Sequence, residues 1–226
     1  MSRPAYITRE QMERITERIL EDYGFRPDDK SVRPVPIEEI VEFHFDLQLC
    51  WEPIDQLAAD GIVMAAIVPG ERRIILNETQ RELFIRKIGT YHFTLAHELG
   101  HWVLHAGEPL YRRSGGTFVV ERGRKEAPVY YCRSSSHKPA EEVQADLFAG
   151  CLLMPQAMMV RAVKQLGMNG TIRLHHLYGL ADCLKVSVSA LSVRLAQLRL
   201  LHINDAGEVR RPGAGRPACE QMTLEL

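Results

Sequence analysis

Apolar positions along the chain fall into two regimes, one with helical period and one with continuous or alternating runs. Met12, Ile15, Ile19 and Leu20 recur at helical spacing up to Gly24, and Thr8-Arg9-Glu10-Gln11 ahead of them reads as a capping box. A first helix is predicted there. Pro36-Ile37-Glu38-Glu39-Ile40-Val41 opens a short second one, with Pro at a first-turn position. Three strand-like pieces follow. Leu47 to Trp51 alternates, Gly61 to Val68 is continuously apolar, and Arg72 to Asn77 comes after the turn signal Pro69-Gly70-Glu71. They predict a small antiparallel sheet of three strands. Helical spacing returns over Glu82 to His105, with a break expected near Gly89-Thr90. Further helices are predicted over 140–154 (stopped by Pro155), 156–166, 171–184 and 188–200. The tail from Asn204 to Leu226 is expected to be weakly ordered or a short hairpin.

Residues 106–140 break the pattern. They are rich in Gly, Pro and Ser, and carry seven Lys/Arg against three Glu, a local charge of +4. Two strand-like pieces inside them, TFVVER and PVYYCR, suggest a hairpin. The whole chain has 226 residues and a net charge of -1, so any attraction to nucleic acid must come from such a patch. No apolar run approaches the ~20 residues of a membrane span. The first residues turn charged and amphipathic at once, so a cytoplasmic location is expected. The five cysteines are scattered, with no CxxC pair, and are expected to be thiols without a role in metal binding.

The chemistry concentrates in Phe93-Thr94-Leu95-Ala96-His97-Glu98-Leu99-Gly100-His101, which contains HExxH. On a helix, His97 and His101 lie one turn plus ~40° apart and share a face. Two imidazoles so placed can bind one Zn²⁺, and Glu98 between them can take a proton from a water that attacks a carbonyl. HExxH fixes only three positions, so a third ligand must be found. Glu142-Val143-Gln144-Ala145-Asp146 supplies one on a predicted helix. Glu142 is a candidate ligand, and Asp146, one turn on, can accept the outer ring N–H of a ligand histidine. Glu141 competes, but Glu142 shares a face with Asp146. Two His and one Glu leave a fourth position for water, as catalytic zinc sites require. The set suits Zn²⁺ best and also accommodates Mn²⁺ or Fe²⁺.

FTLAHELGHWVLH (Phe93 to His105) and EEVQADLFAGCLLMP (Glu141 to Pro155) together resemble the ImmA/IrrE family of metallo-endopeptidases, whose second block reads E-x-x-A-N/D-x-F-A-x-x-L-L-M-P. The likeness extends more loosely from about residue 10 to 200. It implies an α+β fold, with a zincin-like HExxH helix packed on a small antiparallel sheet and an HTH-like helical bundle after it. The expected layout is a metallopeptidase domain over 1–168, an HTH-like region over 169–203 and a tail over 204–226. By the resemblance, His97, His101 and Glu142 are ligands and Glu98 is the catalytic acid/base. Family members typically cleave a partner repressor of HTH type and so switch on stress-response or mobile-element genes. The larger members carry a sensor domain after the HTH-like part, where this chain has a short tail. The 40 residues between His101 and Glu142 are a further departure. This insertion could form a lid, a docking surface or a nucleic-acid contact, through Arg112, Arg113, Arg122, Arg124 and Lys125.

Other residues carry weaker signals. His105 follows His101 by four and reads as helix continuation or a contact near the site. Tyr91, Tyr130, Tyr131, Arg133 and His137 are candidates for stabilising an oxyanion, none of them singled out. Trp51 and Trp102 read as packing. Residues 173–200 have an HTH-like rhythm and a charge of +3, with Arg194 and Arg199 the basic residues of the second helix. That segment reads either as a scaffold buttressing the active-site helices or as a DNA reader. Adjacent His175 and His176 lack ligand spacing. A competing function is therefore a DNA-binding or interaction module with a structural metal. A toxin–antitoxin partner would share the chemistry of the protease.

Overall fold

A computed structural model describes residues 7–27, 31–57, 62–106, 130–133, 139–168, 170–204 and 207–211. Helix α1 (Arg9–Tyr23) begins at the capping box. The Thr8 hydroxyl accepts from the Gln11 N–H at 3.2 Å, and the Gln11 side chain accepts from the Thr8 N–H at 2.7 Å. Such a cap is worth about 1 kcal/mol. Gly24, at φ 90°, ends the helix in the left-handed conformation that glycine adopts without strain. Helix α2 (Ile37–Glu39) runs on into a wider π-type turn, Ile40–His44.

The sheet holds β1 (Gln48–Glu52), β2 (Val63–Val68), β3 (Arg73–Asn77) and β4 (Tyr130–Arg133), in the order β1-β3-β2-β4. β2 and β3 form the expected antiparallel hairpin through Pro69–Glu71, with Arg72 at φ 52°. β1 pairs with β3 in parallel, so the all-antiparallel expectation is corrected, and β4 adds a fourth strand beside β2. The reason lies in polarity. β2 and β3 are nearly continuous apolar runs and take the middle. β1 is half exposed, with polar ends, and suits an edge. β4 is the second strand-like piece of the basic stretch; its proposed hairpin partner, TFVVER, lies outside the described residues.

The remaining elements are α3 (Arg81–Arg86), α4 (Ile88–His101), α5 (Ala140–Leu153), α6 (Gln156–Met168), α7 (Leu174–Leu184) and α8 (Val188–Gln197), then a short β5 (His202–Ile203) and β6 (Val209–Arg210) hairpin. The break before α4 falls at Lys87 rather than Gly89, and α4 continues as a wider turn over Trp102–Ala106. The class is α+β. One hydrophobic cluster joins Ile67 and Leu76 of the sheet, Leu95 and Leu99 of α4, Phe148 and Leu152 of α5, and Leu177, Leu184, Leu191 and Leu195 of α7 and α8. Helices α7 and α8 thus share their core with the segment before them. Among the described residues, no single helix is long and apolar enough to cross a membrane.

Candidate metal centre

Helices α4 and α5 run side by side in opposite senses, so His101 meets Glu142 and His97 meets Asp146. Gly100 permits the close crossing. A Cβ there would lie 3.1 Å from Phe148 Cδ1 and 3.2 Å from Ala145 Cα. The Nε2 atoms of His97 and His101 lie 3.0 Å apart. Glu142 Oε2 is 3.3 Å from the first and Oε1 is 3.2 Å from the second. One donor atom from each of the three residues falls within 4.8 Å of the others, a group that could hold a metal ion.

Asp146 decides which nitrogen faces that group. Its Oδ1 is 3.0 Å from His97 Nδ1. A carboxylate only accepts, so Nδ1 carries the hydrogen and the Nε2 lone pair of neutral His97 points at Glu142 and His101. Burial alone would push the Glu142 carboxyl up, but the His101 and His97 rings outweigh it and hold it down at about 2. Burial likewise lowers the pKa of His101, favouring the neutral ring that a metal requires. Two imidazole nitrogens and a carboxylate converge on one point, a donor set that fits a divalent cation in exchange for the protons the rings share with Glu142.

Glu98 is fully buried, and neither carboxyl oxygen has a hydrogen-bond partner of good geometry. Burial pushes its pKa up to about 8; His97 and the backbone of Ile67 pull it back only in part, and Glu142 adds to the rise. A buried carboxyl without partners costs stability and needs another reason to be there. A cation at the neighbouring three-residue group would favour its charged form, which fits the same donor set.

Glu141 stays outside the three-residue group. His105 lies 5.6 Å from His101, ring to ring. Tyr91 stacks on Trp51 and packs edge-on against Phe84, an arrangement that holds α4 against its neighbours. Trp102 is buried, with the Arg72 guanidinium 5.3 Å from its ring centre. The side chains of Tyr130, Tyr131 and Arg133 are outside the described set, as are His137 and the basic residues Arg112, Arg113, Arg122, Arg124 and Lys125. His176 Nδ1 accepts from the Arg173 N–H at 3.0 Å, a local role at the start of α7.

Of the two readings of residues 173–200, Arg194 fits the scaffold and not the DNA reader. It is 1% exposed and forms a two-pronged ion pair with Glu13, both contacts at 2.7 Å. The exposed residues of α8 are Ser189, Val193 and Ala196, none of them basic. Sequence reasoning missed this pair and, having read Gly89 as a helix break, missed its close packing, where a Cβ would sit 2.4 Å from the Val186 carbonyl carbon. Only the glycine itself, inside a helical pattern, could have signalled the second. Searched against protein-family models and curated proteins, the chain gives no match.

Proposed function

We propose that this chain is a metal-dependent endopeptidase of the ImmA/IrrE type. The observation that carries the reading is the buried, unpartnered Glu98 beside the converging donors of His97, His101 and Glu142. His97, His101 and Glu142 would hold a divalent metal, which would supply a Lewis acid for the scissile carbonyl and for the acidity of water near neutral pH. Zinc suits two imidazoles and one carboxylate best, and Mn²⁺ or Fe²⁺ remain compatible.

The chain's own residues do the rest. Glu98 takes the proton of the attacking water, holds it on a carboxyl oxygen, and hands it to the departing amine nitrogen. Its burial keeps bulk water from the carboxyl, and a cation held by the neighbouring donors would favour the ionised form that accepts the proton. Asp146 keeps the His97 ring in one tautomer and orientation.

The substrate we favour is an HTH-type transcriptional repressor, cut at an exposed linker, with release of stress or mobile-element genes as the consequence. Docking rather than a narrow pocket sets specificity in this reading, with the basic stretch 106–140 as the segment offered for it and nucleic acid as an activator. A cytoplasmic setting goes with such a substrate. The test is co-expression with any HTH repressor found encoded next to this chain's gene. Glu98→Gln is expected to retain metal and lose cleavage. Undiminished proteolysis by a clean preparation of that variant overturns the mechanism, and no cleavage by the unaltered chain overturns the substrate.

A further inference from the structure

Helices α7 and α8 touch both metal-bearing helices at the same end. At α4, the turn Lys185–Ser187 sits directly on Gly89. A Cβ there would meet the Val186 carbonyl carbon at 2.4 Å, the Ser187 nitrogen at 2.5 Å and Val186 Cα at 2.9 Å, all backbone. One turn further along α4, His92 Nδ1 reaches the Lys185 carbonyl at 3.2 Å. At α5, Arg194 of α8 donates from Nε to the Met154 carbonyl at 2.9 Å, and its Nη1 lies 3.4 Å from Cys151 Sγ. The same guanidinium is locked to Glu13 of α1.

This use of charge is unusual. A buried ion pair rarely adds stability over a well-packed apolar set of the same volume. What a guanidinium supplies that a methionine cannot is direction. Its donors fix the end of α5 relative to α1 and α8 by hydrogen bonds of defined length and angle.

We propose that the α7–α8 hairpin is a strap that sets the relative position of α4 and α5, and that Arg194 is a positioning residue for the ligand Glu142. Ligand distances must hold to within about 0.2 Å for a metal to bind well. A rigid helix released at one end slides or turns as a unit, so a few tenths of an ångström lost at Met154 reach Glu142. Gly89 does the corresponding work for α4, keeping His97 and His101 in place. The proposal rests on the reading of these residues as a metal site.

The experiment is Co²⁺ titration of the full-length chain against a competing chelator, with the visible spectrum recorded, alongside thermal melts. The key variant is the double swap Glu13→Met/Arg194→Met, which removes both charges together. It is expected to melt within a few degrees of the unaltered chain, yet bind Co²⁺ at least about tenfold more weakly and with an altered spectrum. Gly89→Ala is expected to weaken Co²⁺ binding in the same way. A double swap that keeps both the affinity and the spectrum overturns the strap, as does one whose loss of affinity only follows unfolding. An unaltered chain that binds no Co²⁺ overturns the metal reading as well. Intact binding indifferent to the strap overturns this proposal alone.

Discussion

Asp146 Oδ1 lies 3.0 Å from the Nδ1 of His97, on the ring nitrogen turned away from Glu142. That contact fixes a proton on Nδ1 and a lone pair on Nε2. Asp146→Ala is therefore expected to weaken metal binding by about 10- to 100-fold. Asp146→Asn should lose less, because an amide oxygen can still accept from Nδ1–H. Chelator competition on the three proteins checks the order. Equal affinity for all three would remove Asp146 from the site.

How much of this was legible beforehand depends on distance along the chain. His97 and His101 are four residues apart, and Glu142 and Asp146 are four apart, so helical period alone puts each pair on one face. The capping box at Thr8 is equally local. Strand order is not local. Nothing in QLCWE states that β3 will slip between it and β2, and the parallel β1–β3 pairing is visible only in three dimensions. The ion pair of Arg194 was not legible for the same reason, because its partner Glu13 is 181 positions away.

The raised pKa of Glu98 makes the metal-free protein sensitive to alkali. A carboxyl whose folded pKa sits above its unfolded value stabilises the fold fully at low pH, and that contribution is lost as pH rises from the ordinary carboxyl range through about 8. Each pH unit inside that window costs up to about 1.4 kcal/mol. Thermal melts in excess chelator are expected to fall across it. In Glu98→Gln, which has nothing to ionise, this slope should vanish. The lowered pKa of Glu142 acts in the opposite sense, and its contribution is lost as pH falls from the ordinary carboxyl range through about 2. An unchanged slope in Glu98→Gln would assign the alkaline loss to another group.

The described thiols should differ sharply in reactivity. Cys151 is fully buried, and burial pushes its pKa up to about 12 despite the nearby Arg194. Cys50 is half buried and also shifted upward by burial. Cys183 is exposed. Because the thiolate is the reacting species, iodoacetamide at neutral pH should label Cys183 first and leave Cys151 untouched until the protein unfolds. Peptide mass spectrometry over a time course reads this directly. Labelling of Cys151 in folded protein would mean that the Arg194 corner of the core opens readily.

Two glycines in helices should respond with opposite signs to the same substitution. At Gly100, a methyl group would crowd Phe148 Cδ1 at 3.1 Å, Ala145 Cα at 3.2 Å and the Ala145 carbonyl oxygen at 3.3 Å. Two of those atoms belong to the α5 backbone, so relief requires α4 and α5 to move apart. Gly100→Ala is expected to cost about 1–3 kcal/mol by overpacking. It should also weaken metal binding, since the same movement draws Glu142 away from His97 and His101. At Gly179, in the middle of α7, nothing lies within 4 Å of the added carbon. Gly179→Ala should therefore gain about 0.4–1 kcal/mol from the unfolded chain's lost freedom and leave metal binding unchanged. Chemical denaturation with parallel metal titration separates the two. A stable Gly100→Ala that still binds metal normally would show that the helix crossing has slack, and the ligand geometry would then have to be held by the side chains alone.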